Sequence, residues 1–355
     1  MEQIEVGFGQ LRVLDVGGSA REPVKGRTYM NAFEATTRST VSAPVNDEGL
    51  DLARTVAELR EVRERWREAQ KRPKLSDSLE LPSREALAEI VRDLRGALFP
   101  MRLGPRGLRQ ESEDYFVGDT LNRALTLLLT QVRLELRYLA RQSAAPADPE
   151  ARAVKIVRAI GAALPRVRSL LDSDVLAAFQ GDPAARSVDE VLLCYPGLFA
   201  MIHHRIAHEL YRLDVALLAR MVSELAHQAT GIDIHPGATI GAGFFIDHGT
   251  GVVIGETAQI GRNVRLYQAV TLGAKRFASD AQGHLQKGGA RHPIVEDDVV
   301  IYAGATILGR VTIGRGSVIG GNVWLTRSVP AGSHIAQAHN REAAHEEGLE
   351  HGSGI

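Results

Sequence analysis

Between Gly231 and Ala336 an aliphatic side chain returns at every sixth residue. The first set is Ile234, Ile240 and Ile246. After a slip of two residues come Ile254, Ile260, Leu266 and Leu272. A polar interruption follows, then Val295, Ile301, Ile307, Ile313, Ile319 and Leu325. All thirteen positions hold Ile, Val or Leu, and glycine often follows, as at Gly241, Gly255, Gly261, Gly273, Gly314 and Gly320. A hexapeptide period predicts a parallel β-helix. Each unit gives one short strand with its aliphatic residue inward, then a tight turn, and three units close a triangular coil. Stacked coils bury a continuous aliphatic column.

The composition changes where this pattern begins: more than half of the 35 glycines lie between residues 231 and 332. Residues 1–75 read as an extension, polar and broken by Gly and Pro up to residue 50. They then carry one amphipathic helix over 51–72, with Leu52, Val56, Leu59, Val62 and Trp66 on one face. Residues 76–229 predict a helical domain. LPSREALAEIVRDLRGALF (81–99) is its clearest helix, with Ser83 as cap and Leu87, Ile90, Val91, Leu94 and Leu98 on one face. Further helices are expected over 114–142 and 151–179. QGDPAARSVDEVLLCYPG reads as a turn-rich link, and helical spacing then runs from Pro196 to His227. Residues 230–336 are the β-helix, with 275–293 thrown out from one corner as a loop; residues 337–355 read as a flexible tail. The fold class is therefore α+β, an all-helical N-terminal domain followed by a parallel β-helix.

A formal net charge of −1 gives no support for a nucleic-acid or membrane surface. No apolar run is long enough to span a bilayer, and the N-terminus lacks the order of a secretory signal. The single cysteine, Cys194, excludes a disulfide framework within one chain and fits a reducing cytoplasm.

Most of the twelve histidines have structural explanations. His203, His204 and His208 fall on a helix, and His235 falls on a turn before a proline. His248 differs, because it follows the inward Ile246 where the period slips by two. Such a slip is a local bulge, and bulges re-aim side chains at sites. Asp247 adjoins it, and stacking brings Asp233 close, so a carboxylate-oriented general base is predicted. Arg291 and His292 end the extruded loop, where they are candidates to recognise a carboxylate.

The segment from Asp233 to Trp324 closely resembles bacterial serine O-acetyltransferases, in DIHPGATIG, FIDHGTGVVIGE, VTLGA, a loop ending RHP, and IYAGATILG. GDPAARSVDEVLLCYPG and RIAHELY also match, and the helical part looks like the longer-domain variety of that family. The likeness covers about residues 80–336. It implies a left-handed β-helix, a homotrimer or a hexamer made of two trimers, and active sites between neighbouring β-helices. It implies transfer of acetyl from acetyl-CoA, as co-substrate, to the hydroxyl of L-serine. The products are O-acetyl-L-serine and CoA, the first step of cysteine synthesis, with cysteine as feedback inhibitor. No metal and no permanently bound cofactor is expected.

Carried over motif by motif, His248 is the general base and Asp233 orients it. Asp182 and Asp247 bind the serine ammonium, Arg291 and His292 its carboxylate, and Glu256 stands behind them. Backbone amides around Gly273 and Ala274 stabilise the oxyanion. CoA runs near Ala303 and Gly321, with Arg327 toward its phosphates. Two departures touch this assignment: Leu-Gly-Ala replaces a common Leu-Gly-Gly, and the loop before RHP is longer than in relatives. Members of the family often end in an isoleucine that enters O-acetylserine sulfhydrylase. The terminal Gly-Ser-Gly-Ile355 makes that enzyme an expected partner.

Three other readings share parts of the pattern. A hexapeptide O-acyltransferase for another hydroxyl acceptor would keep the base and lose the amino-acid clamp. A β-helix metalloenzyme would use His235, His248 and His292 as zinc ligands. A scaffolding solenoid would bind no acetyl-CoA.

Overall fold

The computed structural model describes residues 51–69, 80–142, 148–275 and 288–337. The chain divides into two compact units, Met1–Ser76 and Asp77–Ile355. The described part of the first is one helix, α1 (Leu52–Ala69), supported by the i,i+4 pairs Arg54–Glu58 and Glu61–Arg65. Its apolar stripe, Leu52 to Trp66, forms as the spacing predicts but is exposed along its length.

In the second unit α2 (Arg84–Leu98) begins at the predicted cap. The Ser83 hydroxyl accepts the Ala86 N–H at 3.2 Å, and the five residues of its apolar face are buried. After the single turn of α3 (Pro100–Leu103) come two long helices, α4 (Glu113–Gln142) and α5 (Pro149–Gly181). Two expectations are corrected here. The link after α5 contains a helix, α6 (Val188–Cys194). Ser187 Oγ accepts the Glu190 N–H while the Glu190 carboxylate reaches back to the Arg186 N–H, so both ends of the first turn are satisfied. The helical run after Pro196 is two helices, α7 (Pro196–Arg212) and α8 (Ala216–Thr230), because Asp214 turns the chain with a φ of 58°. No side chain at the start of α8 caps it. Glu135 of α4 does so instead, accepting the Leu217 and Leu218 N–H groups at 2.9 Å each.

Fourteen short parallel strands form the β-helix among the described residues. Face one stacks β1 (Asp233–Ile234), β4 (Val253–Ile254), β7 (Thr271–Gly273), β10 (Thr306–Leu308) and β13 (Trp324–Leu325). Face two stacks β2 (Thr239–Ile240), β5 (Gln259–Ile260), β8 (Ile294–Val295) and β11 (Thr312–Ile313). Face three stacks β3 (Phe245–Ile246), β6 (Arg265–Leu266), β9 (Val300–Ile301), β12 (Val318–Ile319) and β14 (His334–Ile335). All thirteen residues of the period are buried, each on a strand, in register with the one a coil away.

The helices are fixed to the first coil through charge. Arg205 of α7 donates to both oxygens of Asp174 of α5, at 2.7 and 2.8 Å. It also reaches the carbonyls of Ile240 and Gly241, and Asp174 accepts the Phe244 N–H at 2.9 Å. Both side chains are buried, and the pair is tolerated there because the guanidinium makes four hydrogen bonds and both carboxylate oxygens accept.

Candidate active site

At the corner from face three to face one, an ordinary coil uses four residues with one positive φ, at Ala269, Gly304 or Asn322. The lowest coil uses six, Asp247 to Val252. Positive φ occurs there at His248 (59°), Gly249 (87°) and Gly251 (79°). The two-residue slip is thus a bulged corner. A left-handed conformation at a non-glycine residue costs about 1–2 kcal/mol, and strain of this kind gathers at functional positions. The bulge turns the imidazole outward: the His248 side chain is 70% exposed, with its Nε2 3.8 Å from the Asp247 carboxylate.

Asp182, at the C-cap of α5, faces the same corner. Its carboxylate accepts the Ala184 N–H at 2.8 Å and the Tyr195 hydroxyl. The Tyr195 bond, then the Ala184 amide, with the charges of His248 and Arg265 adding less, hold Asp182 below the usual carboxylate range. The Arg265 guanidinium lies 5.4 Å over the Phe245 ring and makes no hydrogen bond among the described residues. Ala303 and Gly321 stand above His248 on the same corner, Gly321 packed over the Ala303 carbonyl.

Asp233 is placed differently from its expected partner. Its carboxylate lies with Glu224 and His227, all their donor atoms within 4.8 Å, and no hydrogen bond joins it to His248. It starts the strand after Ile232, on which the Gly249 backbone of the bulge rests.

Arg291 and His292 occupy another corner, from face one to face two, stacked over Glu256, Thr257 and His235. Gly255 makes the stacking possible, since a Cβ there would overlap the His292 ring. His292 Nδ1 accepts the Thr257 N–H at 3.0 Å and sits 2.9 Å from its hydroxyl. Burial, then the Arg291 charge, push its pKa down to about 4, so the ring is neutral with its proton on Nε2. Arg291 donates to Glu256 at 2.6 Å, and Tyr211 donates to the other Glu256 oxygen at 2.7 Å. Those two bonds, Tyr211 foremost, outweigh burial and hold Glu256 below the usual carboxylate range. Gly273 and Ala274 enter the same corner, and the Ala274 amide donates to no described residue. Arg327 lies farther up it, exposed.

Within one chain the predicted residues therefore fall into two groups. Asp182, Asp247, His248, Ala303 and Gly321 share one corner; Glu256, Gly273, Ala274, Arg291, His292 and Arg327 share another. Face one separates them by roughly 15 Å, the length of about five extended residues. The histidines weighed as a zinc set divide the same way, His235 and His292 at one corner and His248 at the other. Sequence reasoning missed Tyr195, Tyr211 and Thr257, since a tyrosine at helical spacing and a threonine in a turn carry no distinctive pattern. Most of the extruded loop (276–287) and Ile355 lie outside the described residues.

Comparison with known proteins agrees with this architecture. The bacterial transferase hexapeptide (six repeats) family model matches residues 292–327. The protein "Serine acetyltransferase, plasmid" of Synechococcus elongatus is 57% identical over 279 residues, 78% of this chain and 86% of its own length. The Bacillus subtilis serine acetyltransferase is 50% identical over 161 residues, 45% of this chain and 70% of its own. Among solved structures, serine acetyltransferase isoform 3 of Entamoeba histolytica, in complex with cysteine, matches with a TM-score of 0.60 at 34% identity. That match covers 75% of this chain and 83% of the other.

Proposed function

The chain belongs to the serine acetyltransferase family and is an acyltransferase, and on that premise we propose the route by which it acetylates L-serine. The acyl donor is acetyl-CoA. The products are O-acetyl-L-serine and CoA, the reaction runs in the cytoplasm, and it opens cysteine synthesis. The observation that carries the proposal is the bulged corner, which presents an exposed imidazole beside Asp247 and within the field of Asp182.

His248 takes the serine hydroxyl proton as the oxygen attacks the thioester carbonyl. The oxyanion gathers on the amides of Gly273 and Ala274. Collapse expels the CoA thiolate, which takes the proton back from the imidazolium. Asp182 and Asp247 hold the substrate ammonium; Arg291 and His292 hold its carboxylate, with Glu256 aiming Arg291. Ala303, Gly321 and Arg327 line the path of CoA. Asp233 turns from Glu224 and His227 to steady His248 once substrate is bound.

Because the base and the carboxylate clamp stand at different corners, the complete site forms between two copies, His248 from one and Arg291 from its neighbour, in a trimer or a pair of trimers. An Entamoeba histolytica relative has been seen with cysteine, and cysteine fits the same clamp, so we propose that it competes with serine. Ile355 on the tail is proposed to dock in O-acetylserine sulfhydrylase; equal capture of that enzyme without Ile355 would contradict this. The main test is CoA release with serine, homoserine and other hydroxyl acceptors. Serine should be preferred strongly, and equal turnover of unrelated acceptors would overturn the proposal.

A further inference from the structure

One helix carries a phenol to each half of the divided site. Tyr195 is the N-cap residue of α7, and Tyr211 lies in its last turn. The helix has 17 residues, a rod of about 25 Å. At one end Tyr195 donates to Asp182 Oδ2, whose other oxygen is tied to the Ala184 amide. At the other end Tyr211 donates to Glu256 Oε1, whose other oxygen receives Arg291. The ring of Tyr211 is itself fixed edge-on to His235, at 5.5 Å. The rod is rigid for reasons already on the page. Most of α7 is buried, and Arg205 at its centre is locked to Asp174 and to the β-helix backbone.

We propose that Tyr195 and Tyr211 are positioning residues, and that each α7 presets one end of two neighbouring amino-acid clamps, Asp182 for the ammonium in one site and, through Glu256, Arg291 for the carboxylate in the next. This rests on the functional reading above. Both phenols stay protonated in use. The bond to Asp182 raises Tyr195, and burial followed by the bond to Glu256 pushes Tyr211 up to about 12. Each remains a donor, so each fixes one carboxylate oxygen: Tyr195 holds Asp182 in place, and Tyr211 holds Glu256, whose other oxygen aims Arg291. A floppy carboxylate would have to be ordered on each binding event, which weakens binding without altering the chemical step.

The test uses the full-length enzyme with Tyr195→Phe, Tyr211→Phe, Asp182→Asn and the double variant Tyr195→Phe/Asp182→Asn. Each phenylalanine variant should raise KM for serine and Kd for cysteine together, by roughly tenfold, the worth of one hydrogen bond to a charged group. The KM for acetyl-CoA should move much less, and so should kcat. In the double variant the second change should add nothing to Asp182→Asn, because the phenol acts through that carboxylate. Unchanged serine KM and cysteine Kd in the phenylalanine variants would overturn the inference, as would additive losses in the double variant. A wild-type enzyme with no serine-dependent CoA release would instead overturn the functional reading itself.

Discussion

His248 and His292 belong to the same β-helix, yet the fold treats them in opposite ways. His248 stands on a bulge with a positive φ, its side chain 70% exposed and without a hydrogen bond among the described residues. His292 is 7% exposed, packed against Gly255 and held through Nδ1 by Thr257. A group that must accept and return a proton needs access and room to move. A group that must recognise a carboxylate needs a fixed tautomer and a fixed place. The first corner is therefore built by inserting residues, and the second by closing residues around a ring.

The comparison breaks most visibly at the exposed corner. His248→Ala should lower kcat by roughly 10²–10⁴ with the fold intact, checked by steady-state rates and circular dichroism; near-normal kcat would remove His248 as the base. Arg291→Ala should act on binding, raising serine KM by roughly 10–100-fold with a smaller change in kcat. Gly255→Ala would push the His292 ring aside. It should cost several-fold in serine KM while leaving the His248 corner unmoved, so a loss mainly in kcat would contradict the division of roles. The smallest effect is on stability. His203 and His292 have folded pKa values pushed down to about 4, largely by burial, against about 6.5 in an unfolded chain. The unfolded state thus binds more protons as pH falls below 6.5, and folding loses stability from there toward pH 4. Thermal melting at a series of pH values should show Tm declining through that window; a flat profile would contradict the buried neutral rings.

Much of this was legible from the sequence because it is local and periodic. The six-residue repeat located thirteen inward residues, and the slip after Ile246 marked the bulged corner. Other features were hidden. The long loop before Arg291 obscures the phase of the repeat, so spacing alone did not say that His292 falls on a different corner from His248. The hand of the helix is equally silent in the period and came only with the family likeness. The helix at Val188–Cys194 had a signal that was passed over, Ser187 and Glu190 at capping-box spacing. Asp214 breaks the last helical run without Gly or Pro, where pattern reading expects continuity. Tyr195 and Tyr211 read as ordinary helix residues, since only the fold shows which carboxylates they meet.

The central claim is that each site is completed by two chains, and mixing inactive variants tests it most directly. His248→Ala and Arg291→Ala chains, each nearly inactive alone when serine is kept well below the raised KM of the second, are co-expressed with different tags and the mixed oligomers isolated. If the base and the clamp come from neighbouring copies, each trimer that mixes the two chains regains one intact pairing among its three sites, and serine-dependent CoA release returns to about a third of wild type. If mixed oligomers stay as inactive as the parents, both groups must act within one chain, and the divided site is wrong.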